Sequence, residues 1–355
     1  MNIGVFVNTP AQVHFFRNMC FELKSRGHEV YILYRDYGET KDLIKEFNIP
    51  AFLYASPPTS KIGKLVQLPI SVIIAARYLR DKKIDLVIGF GVYDAYTSFL
   101  LNVPCVVFTD TEPSLNNFTY AIQNRLYILF IDNIITPVFY KHDYGKKHVR
   151  VDSFKELAYL HPKYFHPNDD VFKYLGIDKS EAYILLRFNS FDAVHDTGLN
   201  GFTTEDKIRL IKELEKKARV FISSESAIPD QISSYRLNAP RSRIHDIIYF
   251  SKLLVADTGT MVTEAAILGV PSIMMHPKAL VFGNFDELEK RYGLVHCYDE
   301  FSEDVIEKAN DLVNGSMVKE EWEEKREKLL NDKTDMVSFY IDYIVEHYGG
   351  DVGND

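Results

Sequence analysis

Short β-branched runs alternate with stretches of helical periodicity along the first half of the chain. Residues 3–7, 30–34, 51–54, 86–90, 105–109 and 133–136 read as strands. Between the first two, Phe15, Met19 and Leu23 recur at i, i+4 and i+8, and Arg26, Gly27 and His28 supply a helix stop. Such alternation predicts a mostly parallel sheet with right-handed helical crossovers. A second series follows the Pro- and His-rich passage 161–170, with strands expected at 183–188, 219–223, 253–257 and 272–275. The helix after the first of these starts at Thr203 or Thr204, with carboxylates in its first turn and Ile208, Ile211 and Leu214 on one face. From Ser302 the chain is charged and helical, and 336–348 carries aromatic and aliphatic residues at the spacing of a helix that docks on a domain.

The length, 355 residues, exceeds what one hydrophobic core usually serves. The expected organisation is an N-terminal domain over 1–165, a second over 166–332, and a C-terminal helix and tail over 333–355. In open α/β sheets ligands bind beyond the carboxyl ends of the strands, so two such sheets facing each other would place their loops in a common interdomain cleft.

Composition narrows the partners. With 41 Lys and Arg against 50 Asp and Glu, the net charge of −9 offers nucleic acid no general attraction, and any phosphate must be held locally. Cys20, Cys105 and Cys297 are widely spaced in apolar surroundings and read as buried thiols, which suits a reducing cytoplasm. Met1 leads straight into a strand pattern, leaving no room for a signal peptide, so secretion is not expected. The apolar window 65–79 falls short of the ~20 residues that span a bilayer. It reads as a buried helix beginning near Pro69, with an interfacial patch on the inner face of an anionic membrane as the other reading.

The strongest local pattern is VADTGTMVTEAAILGVPSIMM over 255–275. An apolar strand is followed by Asp257, Thr258, Gly259 and Thr260, then by a helix carrying Glu264 in its second turn. Backbone N–H groups at such a helix start favour a phosphate, and Gly259 lets the backbone approach it. An ordinary turn capped by Asp257 or Thr258 fits the spacing equally well. Other groups fall after strands. His14 follows the first, where a base or phosphate contact is placed. Asp94 follows the fourth, and Asp110 and Glu112 the fifth, as candidate acid–base carboxylates or helix caps. Arg187 ends the first strand of the second series, where it could hold a diphosphate. Asp192, His195 and Asp196 come next, without the second histidine that a metal site would need, so no metal is expected. Ser223, Ser224 and Glu225 end another strand, His245 precedes the next, and Lys155 with Glu156 sits near the expected hinge.

The 255–275 segment resembles the nucleotide-binding signature of MurG-type glycosyltransferases and of non-hydrolysing UDP-N-acetylglucosamine 2-epimerases. The resemblance implies that Gly259 and Thr260 hold a diphosphate and that Glu264 holds a ribose. The opening GVFVNTPAQVHFFRNMCFELKSRGHEVYIL is similar to theirs, with Asn8, Thr9, Pro10 and Ala11 in place of the glycine-rich loop of MurG. In the epimerases an aspartate and a glutamate in loops corresponding to Asp94 and Glu112 move the proton at C2, while the compact His-Arg-Arg-Glu pattern of those enzymes is missing here. The segments NTPAQVHFF, FTDTEPS, KELAYL, FISSE and DTGTMVTEAAILGVPSI together resemble a family catalogued only as a domain of unknown function.

The resemblance implies an α/β protein of GT-B architecture, two Rossmann-like parallel-sheet domains facing an interdomain cleft. The expected activity is metal-independent transfer of a sugar, UDP-linked, to a polysaccharide, glycolipid or other glycan. His14, Asp94 or Glu112 would deprotonate the acceptor, while Arg187 and the helix at Thr260 stabilise the leaving diphosphate. Ser223, Ser224, His245, Thr258, Gly259, Thr260 and Glu264 would line the nucleotide. No cofactor beyond the nucleotide-sugar substrate is expected. UDP-sugar 2-epimerisation and non-catalytic nucleotide-sugar binding stand as alternatives, and peripheral membrane contact and oligomerisation stay open.

Overall fold

The computed structural model describes residues 1–57, 61–110, 126–188, 202–224, 228–277, 279 and 283–350. Glu112, Asp192, His195, Asp196 and Glu225 lie outside the described residues. The chain divides into two compact units, one of 1–159 with 334–355 and one of 160–333.

Unit 1 contains β1 (Asn2–Val7), α1 (Pro10–Ser25), β2 (Glu29–Arg35), α2 (Thr40–Glu46), β3 (Ala51–Ala55), α3 (Lys61–Arg80), β4 (Leu86–Gly89) and α4 (Val92–Leu101). It continues with β5 (Cys105–Phe108), β6 (Asn133–Pro137), β7 (His148–Val151) and the one-turn α5 (Leu157–Leu160), at whose end the chain passes to the second unit. Its seven strands run in the order β3-β2-β1-β4-β5-β6-β7, each pair parallel. The strands are buried on both faces because helices cover each side, which is why their sequences read as unbroken apolar runs. Phe15, Met19 and Leu23 of α1 are fully buried, as their spacing predicts. Gly27, just past the end of α1, adopts φ +84, a left-handed conformation that lets the chain turn into β2.

The apolar window expected to open a helix near Pro69 lies inside a longer one. Pro69 sits in the middle of α3, where it forgoes one backbone hydrogen bond. Val72, Ala75, Ala76 and Leu79 of α3 are buried, while Val66, Ile70, Ile73 and Ile74 are exposed. Among the described residues no helix is long and apolar enough to cross a membrane.

Unit 2 holds α6 (Val171–Leu175), β8 (Tyr183–Phe188), α7 (Thr204–Leu214), β9 (Arg219–Ser224), α8 (Ile244–Phe250), β10 (Leu253–Ala256) and α9 (Gly259–Ile267). It ends with β11 (Ser272–Met275), α10 (Gly283–Lys290), β12 (Val295–Tyr298), α11 (Glu303–Asn314) and α12 (Val318–Asp332). Five parallel strands run in the order β12-β11-β10-β8-β9. Thr203 caps α7 by accepting from the Asp206 N–H, while the Asp206 carboxylate accepts from the Thr203 N–H, a reciprocal capping box. α13 (Met336–Tyr348) then packs on unit 1, with the Tyr340 ring 6.0 Å from Phe15 and 6.3 Å from Phe16.

The edge strands β7 (HVRV) and β12 (VHCY) were not expected from the sequence. Both are four residues long and interrupt their apolar positions with His148, Arg150 or His296. At a sheet edge such residues are tolerated, and they blunt the signal by which a strand is read.

Candidate functional site

The strand orders create one reversal in each sheet. In unit 2 the chain leaves β8 toward β9 on one side and later builds β10, β11 and β12 on the other, so the reversal lies between β8 and β10. Ligands of open α/β sheets bind at this point, beyond the carboxyl ends of the strands, because the loops there diverge and leave a crevice.

Arg187 and Gly259 stand on either side of that reversal. Arg187 is the penultimate residue of β8, in register with Ala256 of β10 and Ser223 of β9. Its Nη1 donates to Ser223 Oγ at 2.8 Å, and the Asp257 N–H donates to the Arg187 carbonyl at 3.3 Å. The Ser224 hydroxyl donates to the Phe188 carbonyl at 3.4 Å. Ser223, Arg187 and the turn after β10 thus form one row across three strand ends.

The turn itself departs from the ordinary capped arrangement. Thr258 occupies the N-cap position of α9 with extended backbone, yet its side chain makes no capping hydrogen bond. Its buried Oγ1 has no hydrogen-bond partner among the described residues. The first N–H groups of a helix have no partner within it. Without a side-chain cap they retain the partial positive charge that suits an anion.

Gly259 answers a packing need. A Cβ there would lie 3.1 Å from Cζ and 3.3 Å from Cε2 of Phe285, in α10. Thr263 donates to the Gly259 carbonyl at 3.1 Å, and Asn284 Nδ2 donates to Thr263 Oγ1 at 3.4 Å. Phe285 and Asn284 were not singled out by sequence reasoning, because they belong to an element beyond the next strand and carry no local motif.

Glu264 lies in the second turn of α9 and is buried, as is His245 in α8. His245 Nε2 stands 3.0 Å from Glu264 Oε1. The two groups, both expected near a nucleotide, are therefore direct partners.

In unit 1 the reversal falls between β1 and β4, and the helices that follow these strands carry His14 and Asp94. His14 is a buried residue of α1, with its ring between Phe47 and Tyr159 at centroid distances of 5.5 and 5.4 Å. Asp94 is fully buried in the first turn of α4. Its Oδ2 accepts from the Gly91 N–H at 2.9 Å, and Gly91 adopts φ +146. A Cβ at Gly89 would collide with this carboxylate, so the glycine makes room for it. Burial pushes the carboxyl up from 3.8 to about 7, against the opposing pull of the Gly91 and Asp94 backbone N–H groups.

Asp110, after β5, meets Lys155 and Glu156, after β7. Lys155 Nζ lies 2.6 Å from Asp110 Oδ2 and 3.5 Å from Glu156 Oε1. Asp110 and Lys155 lie 45 positions apart in sequence, and only the adjacency of β5, β6 and β7 joins them.

Solved structures similar in fold include UDP-GlcNAc 2-epimerases and a glycotransferase. The UDP-GlcNAc 2-epimerase of Neisseria meningitidis bound to UDP-GlcNAc aligns with a TM-score of 0.70 at 15% identity, over 98% of this chain and 100% of that one. The Methanocaldococcus jannaschii UDP-GlcNAc 2-epimerase in complex with UDP-GlcNAc and UDP gives 0.64 at 15% identity, over 89% and 94% of the two chains. The glycotransferase of kitacinnamycin gives 0.60 at 12% identity, over 97% and 98%. These likenesses establish a GT-B-like α/β fold with two Rossmann-like units. An uncharacterized protein of Methanocaldococcus jannaschii is 24% identical over 317 residues, 84% of this chain and 89% of the relative. Residues 1–347 match the family described as Protein of unknown function (DUF354), and the chain belongs to that family.

Proposed function

We propose that this protein is a glycosyltransferase that takes its sugar from a nucleotide sugar, UDP-linked, and passes it to a hydroxyl of a glycan or lipid-linked acceptor. The observation that carries the nucleotide part is the pairing of Arg187 with the uncapped start of α9 on the two sides of the β8–β10 reversal. A guanidinium beside open helix N–H groups suits a diphosphate, and both stabilise it most as it departs with developing charge. Glu264 would accept from the ribose, with Ser223, Ser224, Thr258 and Thr260 completing the polar lining. The acceptor hydroxyl would lose its proton to His14, Asp94 or Glu112 as its oxygen bonds to C1 and the nucleoside diphosphate leaves. No metal or further cofactor enters this scheme.

A second reading is 2-epimerisation of a UDP-sugar, in which the C2 proton and UDP are lost across C1–C2 and both are added back, UDP to C1 and a proton to the opposite face of C2. Asp94 favours it specifically. A carboxyl raised to about 7 populates both protonation states near neutrality, as reversible removal of the C2 proton requires.

Incubation with a panel of nucleotide sugars in D2O without acceptor separates the two. Saturable binding with no deuterium incorporation supports the transferase. Deuterium at C2 of a UDP-sugar replaces it with the epimerase, and absence of binding to every nucleotide sugar removes both.

A further inference from the structure

Glu264 is a carboxylate at 4% exposure, and burying such a group demands compensating contacts. One comes from His245, itself at 6% exposure, whose Nε2 stands 3.0 Å from Oε1. With the ring proton on Nε2, the imidazole donates and fixes one oxygen of the carboxylate.

The position of His245 is itself anchored. Phe165 meets its ring edge-on, at an interplanar angle of 90° and a centroid distance of 6.4 Å. The neighbouring Asp246 accepts from the Asn168 N–H at 2.8 Å and pairs with Arg243 at 3.4 Å. The start of α8 is therefore tied to the segment around Asn168, and His245 is presented to α9 from a fixed base.

We propose that His245 is a positioning residue for ribose recognition. By holding Oε1, it sets the plane in which the Glu264 carboxylate meets the ribose hydroxyls of a nucleoside diphosphate, and so selects ribonucleotides over deoxyribonucleotides. This rests on the nucleotide reading above and adds to it a determinant of sugar selectivity. The cause is geometric. A hydroxyl gains from a charged acceptor in full only when that acceptor is held in line with it.

The test compares UDP, 2′-deoxy-UDP and 3′-deoxy-UDP by titration calorimetry on the full chain, with denaturant unfolding run in parallel. The native protein is expected to prefer UDP over at least one deoxy analogue by about tenfold to a hundredfold. His245→Phe and His245→Asn both remove the bond, the first keeping an aromatic ring against Phe165 and the second a polar group too short to reach. Either should bring the preference close to one while changing affinity for that deoxy analogue little. His245→Gln, with a donor at similar reach, should restore part of the preference. A variant that weakens UDP and its deoxy analogues equally, or leaves the preference intact, overturns the role of His245 alone. A native protein that binds UDP without preference overturns it too. Failure of the native protein to bind UDP overturns the nucleotide reading and this inference with it.

Discussion

Lys155 Nζ lies 2.6 Å from Asp110 Oδ2, and the same nitrogen reaches Glu156 Oε1 at 3.5 Å. The ammonium and the Glu156 carboxylate are largely withdrawn from water, with side-chain exposures of 16% and 5%. Lys155→Met keeps most of the stem but removes the cation that two carboxylates share. Hydrogen bonds to charged groups contribute about 1.5–3 kcal/mol each, so a stability loss of that order is expected from urea unfolding at neutral pH. An unchanged midpoint would show that water screens the pair.

Asp94 makes stability depend on pH in a direction opposite to that of an ordinary paired carboxylate. Its folded value of about 7 lies above the 3.8 of an exposed aspartate. Between those values the folded chain binds the proton more tightly than the unfolded one, so this group's contribution to stability falls as pH rises from about 4 to about 7. Asp94→Asn removes the titration and keeps an oxygen to accept from Gly91. Relative to the native protein, the variant should gain a few kcal/mol between pH 4.5 and 8, a difference that denaturant unfolding at the two pH values measures directly. A constant offset between the two proteins would show that Asp94 does not titrate in this range.

The sheets and most crossover helices were legible because their signals are local. Apolar runs mark the buried strands, and the stripe of Phe15, Met19 and Leu23 marks the buried face of α1. What was illegible depends on pairing across the sheet. The His245–Glu264 bond joins residues of two helices separated by β10, whereas the sequence pattern points each side chain at a ligand. Similarly, Lys155 and Glu156 carried little weight beside a presumed hinge until β7, a strand too short and polar to be recognised, placed them against Asp110. Pro69 misled for a different reason. A proline favours a helix start, but packing of the apolar positions around it kept α3 continuous.

The sequence pattern assigns Gly259 to backbone approach to a ligand, and its packing against Phe285 makes a separate prediction. Gly259→Ala forces the ring to shift by a few tenths of an ångström, and overpacking of this kind costs about 1–3 kcal/mol. Combining it with Phe285→Leu, which clears the space, should recover most of that loss in thermal unfolding. UDP affinity supplies the discriminating readout. If the new methyl group also obstructs a phosphate at the start of α9, affinity stays low in the double variant, whereas recovery of both properties together would make Gly259 a packing residue only.

Arg187 offers the most direct test of where a diphosphate is held. Its guanidinium is half-buried at the end of β8 and already donates to Ser223 at 2.8 Å, so it is oriented before any ligand arrives. Preorientation matters because an arginine fixed by a neighbour gives up less side-chain freedom on binding. Arg187→Gln keeps a polar side chain of moderate length and removes the charge. Affinity for UDP should fall about tenfold to a hundredfold, the worth of a charge-assisted contact, while affinity for uridine, which has no phosphate, should remain unchanged. Arg187→Lys should lie between the two, since an ammonium restores the charge but not the planar fork. Ser223→Ala, which releases the guanidinium without altering its charge, should produce a smaller loss with the same selectivity for UDP over uridine. Equal losses for UDP and uridine in Arg187→Gln would assign Arg187 to the support of the β8–β9 edge and move the diphosphate elsewhere.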